Sequence, residues 1–170
     1  HRTLVRYRIQ ASDSLGQVSQ APVPDDPSLN FAYFVYDGIP DYEGFGGEIM
    51  ESIPVYTLIA RSEDVSEVVA YRSADQIPQF LNGRSNEARY AFNWYGTLVY
   101  DGVVYDNIRF RLRGANGRYQ LGGKRNWRFK FNKGHNLRAK DQRGNPFPTE
   151  WKALNTGKGM SNRATLTYAL

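Results

Sequence analysis

The sequence predicts a β-rich α+β fold built on antiparallel sheet, with one or two short helices. Three observations carry that expectation. Apolar residues make up 41% of the chain and aromatics 14%, too much for a disordered chain and in keeping with a β-rich globule. Several segments alternate apolar and polar residues and stop at turns containing Asp and Gly. Helical spacing is confined to two stretches.

TLVRYRIQASDSLGQVS (3–19) alternates, turns at Asp13-Ser14-Leu15-Gly16 and resumes, as a hairpin at the end of a β-sandwich does. APVPDDPSLN (21–30) holds three of the eight prolines and reads as an extended linker. FAYFVYDGIP (31–40) is a strand followed by a turn, and DYEGFGGE after it is loop. SIPVYTLIA (52–60) is a short apolar strand. In RSEDVSEVVAYRSADQIPQFL (61–81), Ser62 suits an N-cap, Glu63 and Asp64 suit a first turn, and Val65, Val68 and Val69 fall at helical spacing.

Residues 87–114 read as a run of strands turning at Asp101-Gly102, the strongest short hairpin signal. NWRFKFN (126–132) is a further strand, GHNLRAKDQRGNPFPTE a loop, and SNRATLTYAL (161–170) a helix with Ser161 or Asn162 near its N-cap. VYDG occurs at 35–38 and 99–102, which is turn chemistry rather than a duplicated domain. The expected organisation is the end of a sandwich module at 1–20, a Pro/Gly-rich linker and strand at 21–49, and a separate lobe at 50–170.

The chain contains no cysteine, which excludes thiolate catalysis, disulfides and cysteine-ligated metals. With only His1 and His135, and no paired-histidine spacing, no metal site is expected from these residues. No apolar run approaches the roughly 20 residues of a membrane span. The start at His1, without Met or a leader, reads as a processed or excised piece.

The net charge of +5 is unevenly spread. Residues 1–106 carry seven Arg and 15 Asp or Glu, whereas residues 107–170 carry 15 Arg or Lys against Asp141 and Glu150. The second part is therefore expected to face an anion or an acidic partner. Its centre is YDNIRFRLRGANGRYQLGGKRNWRFKF (105–131). Strand alternation puts Arg109, Arg111 and Arg113 on one face with Ile108, Phe110 and Leu112 on the other. In the following strand, Arg128 and Lys130 share a face opposite Trp127, Phe129 and Phe131. The glycines between these strands free the backbone to approach a phosphate. The loop is not a Walker A motif, because Gly117 to Lys124 is one residue too long and Arg125 stands at the Ser/Thr position. Nor is it a dinucleotide turn, since it opens a strand.

These residues resemble the signature of the CotH (spore coat protein H) kinase family. That signature is a strand ending in R-x-R-G, a short Asn/Ser loop, a Lys pair, and a strand with Arg and Phe. Arg111, Arg113, Gly114, Asn116, Lys124, Arg128 and Phe131 stand at its positions. EWKALN (150–155) and MSNRATLTYAL (160–170) are similar to later family segments, and SIPVYTLIA to the opening strand, so the resemblance covers about residues 50–170. The chain departs from the pattern at Gly123 and Arg125, and NTGKGMSN lacks the family's loop Asp.

The resemblance implies an antiparallel sheet like the small lobe of an atypical protein kinase, using ATP with Mg or Mn to phosphorylate Ser or Thr of secreted or surface proteins. It implies phosphate binding by Arg111, Arg113, Gly114, Asn116, Gly117, Lys124, Arg128 and Lys130. The catalytic base and metal carboxylates are expected beyond Leu170. The implied partners are a C-terminal lobe or adjacent module and a secreted protein substrate, in an extracellular or bacterial-envelope setting that the absence of Cys also suits. Two other readings stand beside it. One is a non-catalytic secreted β-rich module that assembles through its sheet edges. The other is a nucleic-acid binder, which alternation disfavours by placing Trp127 and Phe129 opposite Arg128 and Lys130.

Overall fold

The computed structural model describes residues 2–39, 41, 44–51, 54–70, 94–113, 126–141 and 143–157. The protein is β-rich, with antiparallel sheets and, among the described residues, two helices. It divides into two compact units, His1–Ile59 with Gly96–Ile108 and Ala60–Tyr95 with Arg109–Leu170. Two strands, Trp94–Tyr100 and Val103–Leu112, contribute to both.

In unit 1, strand β1 (Thr3–Tyr7) pairs antiparallel with β4 (Phe31–Val35), and β2 (Ile9–Ser12) with β3 (Val18–Ala21). The expected turn at 13–16 closes the second pair. The Asp13 carboxylate accepts the N–H groups of Leu15 and Gln17, and Gly16 takes φ +78°, a region open to glycine at no steric cost. The 22–30 stretch is not an extended linker. It is a succession of turns, because the Asp26 carboxylate captures the Ser28 N–H while the Val23 and Asp26 carbonyls accept the N–H groups of Asp26 and Leu29. Proline content alone signals extension; the aspartate between the prolines closes the turns.

Helix α1 (Gly47–Glu51) begins inside the segment expected as loop. A five-residue helix entered from Gly46-Gly47 is too short to show periodicity. Strand β5 (Tyr56–Ile59) lies within the expected 52–60 segment.

Strands β5, β6 (Trp94–Tyr100), β7 (Val103–Leu112), β8 (Trp127–Lys130) and β9 (Ala153–Thr156) form a five-stranded sheet in sequence order. Asp101 and Gly102 join β6 to β7 with φ of +51° and +73°, the two left-handed residues that a tight hairpin turn demands. Within β7, Asn107 also has φ +51°, a conformation Asn tolerates better than most residues. Its Nδ2 donates to the Pro27 carbonyl at 2.9 Å, tying the strand to the 22–30 turns within unit 1. The neighbouring Tyr105 and Asp106 are both buried, so simple alternation holds only from Ile108 onward.

In unit 2, helix α2 (Ser62–Ala70) fills the start of the expected helical stretch; the rest of 61–81 lies outside the described residues. Its first turn is closed by the Val65 N–H to the Arg61 carbonyl, so Arg61 occupies the capping position expected of Ser62. The Arg61 guanidinium donates to both carboxylate oxygens of Asp64 at 2.9 Å, and the Ser62 hydroxyl lies against Glu63 instead. Val68 is buried, and Trp94 Nε1 donates to Glu67 at 2.9 Å.

The core of this unit is Val68, Phe110, Leu112, Phe129, Phe131, Leu137 and Ala139. Leu137 and Ala139 belong to the segment expected as plain loop, which doubles back on itself. Leu137 and Trp151 exchange both backbone hydrogen bonds at 2.9 Å, and Phe147 N–H donates to the Ala139 carbonyl. Strand β9, also unexpected as a strand, follows from that return. Its four residues show no periodicity and are strand because they pair with β8. The expected helix at 161–170 lies outside the described residues.

Candidate anion-binding face and a buried ion cluster

The register of β7 against β8 decides which charges meet. Arg109 lies opposite Lys130, Phe110 opposite Phe129, Arg111 opposite Arg128, and Leu112 opposite Trp127. Directly paired residues share a face. Arg109, Arg111, Arg128 and Lys130 therefore form a cationic ladder, with Phe110, Leu112, Phe129 and Trp127 behind it. On β9 the same face continues as Asn155 opposite Arg128 and Ala153 opposite Lys130. No acidic residue occupies any position of this face in β8, β9 or residues 109–112 of β7.

Burial is graded along the ladder. Arg111 is 8% exposed, Arg109 and Arg128 are half-buried, and Lys130 is exposed. Arg113 is exposed just past the end of β7, where its N–H donates to the Asn126 carbonyl at 2.9 Å. Among the described residues, no ion pair engages Arg109, Arg128 or Lys130. Like charges directly opposite across a strand pair destabilise it, so this face holds concentrated positive charge that the sheet itself does not neutralise. Gly114, Asn116, Gly117 and Lys124 lie outside the described residues. The ladder face carries no aromatic side chain on β8, β9 or residues 109–112, and Phe129 is buried behind it, so base stacking has no platform there.

Divalent metal finds no seat among these groups. No cluster of three or more His, Cys, Asp or Glu that could hold a metal ion exists among the described residues, and the ladder repels cations.

A second charged cluster, which sequence reading missed, is built in unit 1. Arg6 on β1 donates from Nε to both oxygens of Asp106 at 2.9 and 3.0 Å, and from an Nη to Thr97 Oγ1 at 2.8 Å. The Thr97 hydroxyl donates in turn to Asp106 at 2.5 Å. Thr97 and Asp106 are both buried. Burial alone would raise the Asp106 carboxyl. The hydrogen bonds from Arg6 and Thr97, the Arg6 charge and the Asn107 backbone N–H prevail, and hold it below its ordinary value. The signal available in sequence was Asp106 lying between Tyr105 and Ile108; its partner stands 100 residues away and could not be named from spacing.

Beside it, Tyr56 and Tyr100 stack across β5 and β6 with centroids 4.5 Å apart and planes 9° from parallel. Burial first, then the neighbouring Tyr100 and Tyr105, push the Tyr56 phenol up to about 12. At the tip of the 131–152 return, the backbone N–H of Asn145 holds the Asp141 carboxyl below its ordinary value against the opposing effect of desolvation. The Asn145 side chain and the Arg143 N–H assist. Asp141 is thus committed to its turn.

Searches against protein-family models, curated proteins and solved structures found no match to this chain. What is established is the class, a β-rich α+β chain in which a cationic sheet face and a matched ion cluster occupy different units. No helix among the described residues is long and apolar enough to cross a membrane.

Proposed function

We propose that this chain is the phosphate-gripping small lobe of a CotH-like atypical protein kinase, serving Ser/Thr phosphorylation of secreted or surface proteins. The observation that carries the reading is the pairing of Arg111 with Arg128 and of Arg109 with Lys130 on one apolar-backed face. Planar guanidinium groups suit bidentate contact with phosphate, and the Lys130 ammonium adds a point charge at the exposed end. Antiparallel strands in sequence order, and the resemblance of residues 105–131 to the family signature, support the same reading. Arg113 and the 114–124 segment with Asn116, Gly117 and Lys124 would complete the grip. Mg or Mn would enter with ATP, held by carboxylates outside this face.

Isothermal titration of the chain with ATP, with and without Mg²⁺, tests this. ATP should bind, Arg128→Ala should weaken binding at least tenfold, and raised salt should weaken it further. Absence of heat at millimolar ATP in both conditions overturns the reading. The second reading, a non-catalytic secreted assembly module, is favoured by exposed apolar side chains on β1 and β4 and by the outer edges of β5 and β9, which no described strand pairs. Under that reading ATP is inert, and association grows with protein concentration.

A further inference from the structure

The ladder face is uniform along its strands and graded across them. One row runs Arg111, Arg128, Asn155 over β7, β8 and β9, and the other runs Arg109, Lys130, Ala153. Along the strands the rows lie about 6.8 Å apart and both are cationic, so that direction offers a ligand no contrast. Across the strands, which are about 4.8 Å apart, the charge stops between β8 and β9. There a carboxamide follows Arg128 and a methyl group follows Lys130. Burial changes in the same direction, from Arg111 at 8% exposure through half-buried Arg128 to exposed Asn155. The face therefore orients a ligand that has an anionic chain and an uncharged part. The chain lies over Arg128 and Lys130, and the uncharged part lies over β9.

A carboxamide both donates and accepts hydrogen bonds; a hydroxyl can use both functions, whereas an ionised phosphate oxygen only accepts. Among the described residues, no hydrogen bond engages the Asn155 side chain. Its neighbour on the same face, Ala153, is small enough to leave room for a ring beside the carboxamide. In a nucleoside triphosphate, the group attached to the phosphate chain is a ribose with two vicinal hydroxyls. Building on the phosphate reading above, we infer that Asn155 holds the ribose hydroxyls of the nucleotide. The site thereby distinguishes a nucleoside triphosphate from a bare polyphosphate and from a nucleotide whose sugar lacks those hydroxyls. Bare polyphosphate meets only the ladder cations and leaves Asn155 in water at no cost. The nucleotide gains the additional hydrogen bonding, which at an exposed position is worth about three- to tenfold in affinity. The base then projects past the ladder face, in keeping with the lack of an aromatic platform on it.

Isothermal titration of the chain with ATP, 2′,3′-dideoxy-ATP and inorganic triphosphate, in one buffer and at one salt concentration, tests the inference. The unsubstituted chain should bind ATP about three- to tenfold more tightly than dideoxy-ATP. Asn155→Val, a good strand former at an exposed position, should bind the two nucleotides equally. Its affinity for triphosphate should stay within about twofold of the original, because the ladder cations are intact; this also reports that the variant is folded. Arg128→Ala should weaken all three ligands at least tenfold. Equal binding of ATP and dideoxy-ATP by the unsubstituted chain overturns the inference. So does a preference for ATP that survives in Asn155→Val, or a loss of triphosphate binding in that variant as large as its loss of ATP binding. Each of these results leaves the phosphate grip standing, since triphosphate and Arg128→Ala read it separately. Absence of binding by all three ligands overturns the phosphate reading and this inference together.

Discussion

In unit 1, Arg6 meets a carboxylate and a hydroxyl within 3.0 Å; in unit 2, Arg111 and Arg128 stand side by side with a second cationic pair one rung away. Both arrangements place guanidinium groups on or against sheet. The first is closed, because two donors of Arg6 and the Thr97 hydroxyl are spent on acceptors within the unit, and its removal should be felt as stability. In the second, neighbouring positions on the ladder face add charge of the same sign and Arg109, Arg128 and Lys130 make no ion pair among the described residues, so removal of Arg128 should be felt as lost affinity for anions. The difference lies in the chemistry of the neighbours: the Arg6 guanidinium is met by a carboxylate and a hydroxyl, whereas those three cations make no ion pair among the described residues.

The largest effect expected from this contrast is at Asp106. Asp106→Ala leaves buried Thr97 and the Arg6 guanidinium without their acceptor, and should cost about 2–4 kcal/mol in urea unfolding. The figure is kept below that of a fully buried pair because the Arg6 side chain is 46% exposed. The same group predicts an acid limb. A carboxyl whose folded pKa is depressed contributes stability above its unfolded value. That stability is lost as pH falls through the folded pKa, here below about pH 4. Asp106→Asn should lack that part of the acid loss. An unchanged acid limb would show that other carboxylates govern it.

A smaller effect is expected at Tyr56, where burial matches the protonated form instead of a charge. Its raised pKa means that the folded state keeps the proton which the unfolded state releases. Stability attributable to Tyr56 is therefore full below pH 10 and declines as pH rises toward about 12. Phenolate absorbance should show one tyrosine titrating late, and Tyr56→Phe should abolish both that step and its alkaline stability loss.

The smallest effect on stability is expected on the ladder. Arg128→Thr removes a like-charge pair and installs a good strand former. It should leave unfolding unchanged or raise stability by about 0.5 kcal/mol. A loss of 2 kcal/mol would instead mean that the ladder is as closed as the Arg6 cluster, and would break the distinction.

Local chemistry was legible wherever a few consecutive residues impose it. Asp13 with Gly16, and Asp101 with Gly102, specify tight turns because their backbone geometries admit few other residues. Alternation in 108–112 and 127–130 was read correctly because the apolar face of both strands, with Phe110 and Phe129, packs into the core. The return of 131–152 was not legible. Leu137 and Trp151 are paired by backbone groups that every sequence possesses, and nothing in their side chains announces a partner 14 residues away. The 22–30 turns were hidden for a related reason, since the Asx-type capture by Asp26 competes with the extension that proline favours.

By itself, then, the sequence determined where the chain turns, which face of the basic strands is apolar, and that charge is segregated along the chain. Only tertiary structure decided that Arg111 stands opposite Arg128, and that Arg6 finds Asp106. Side-chain period is a property of one strand. Register is a property of two, fixed by which buried faces coincide, and it turns a row of arginines into either an ion pair or an open cationic ladder.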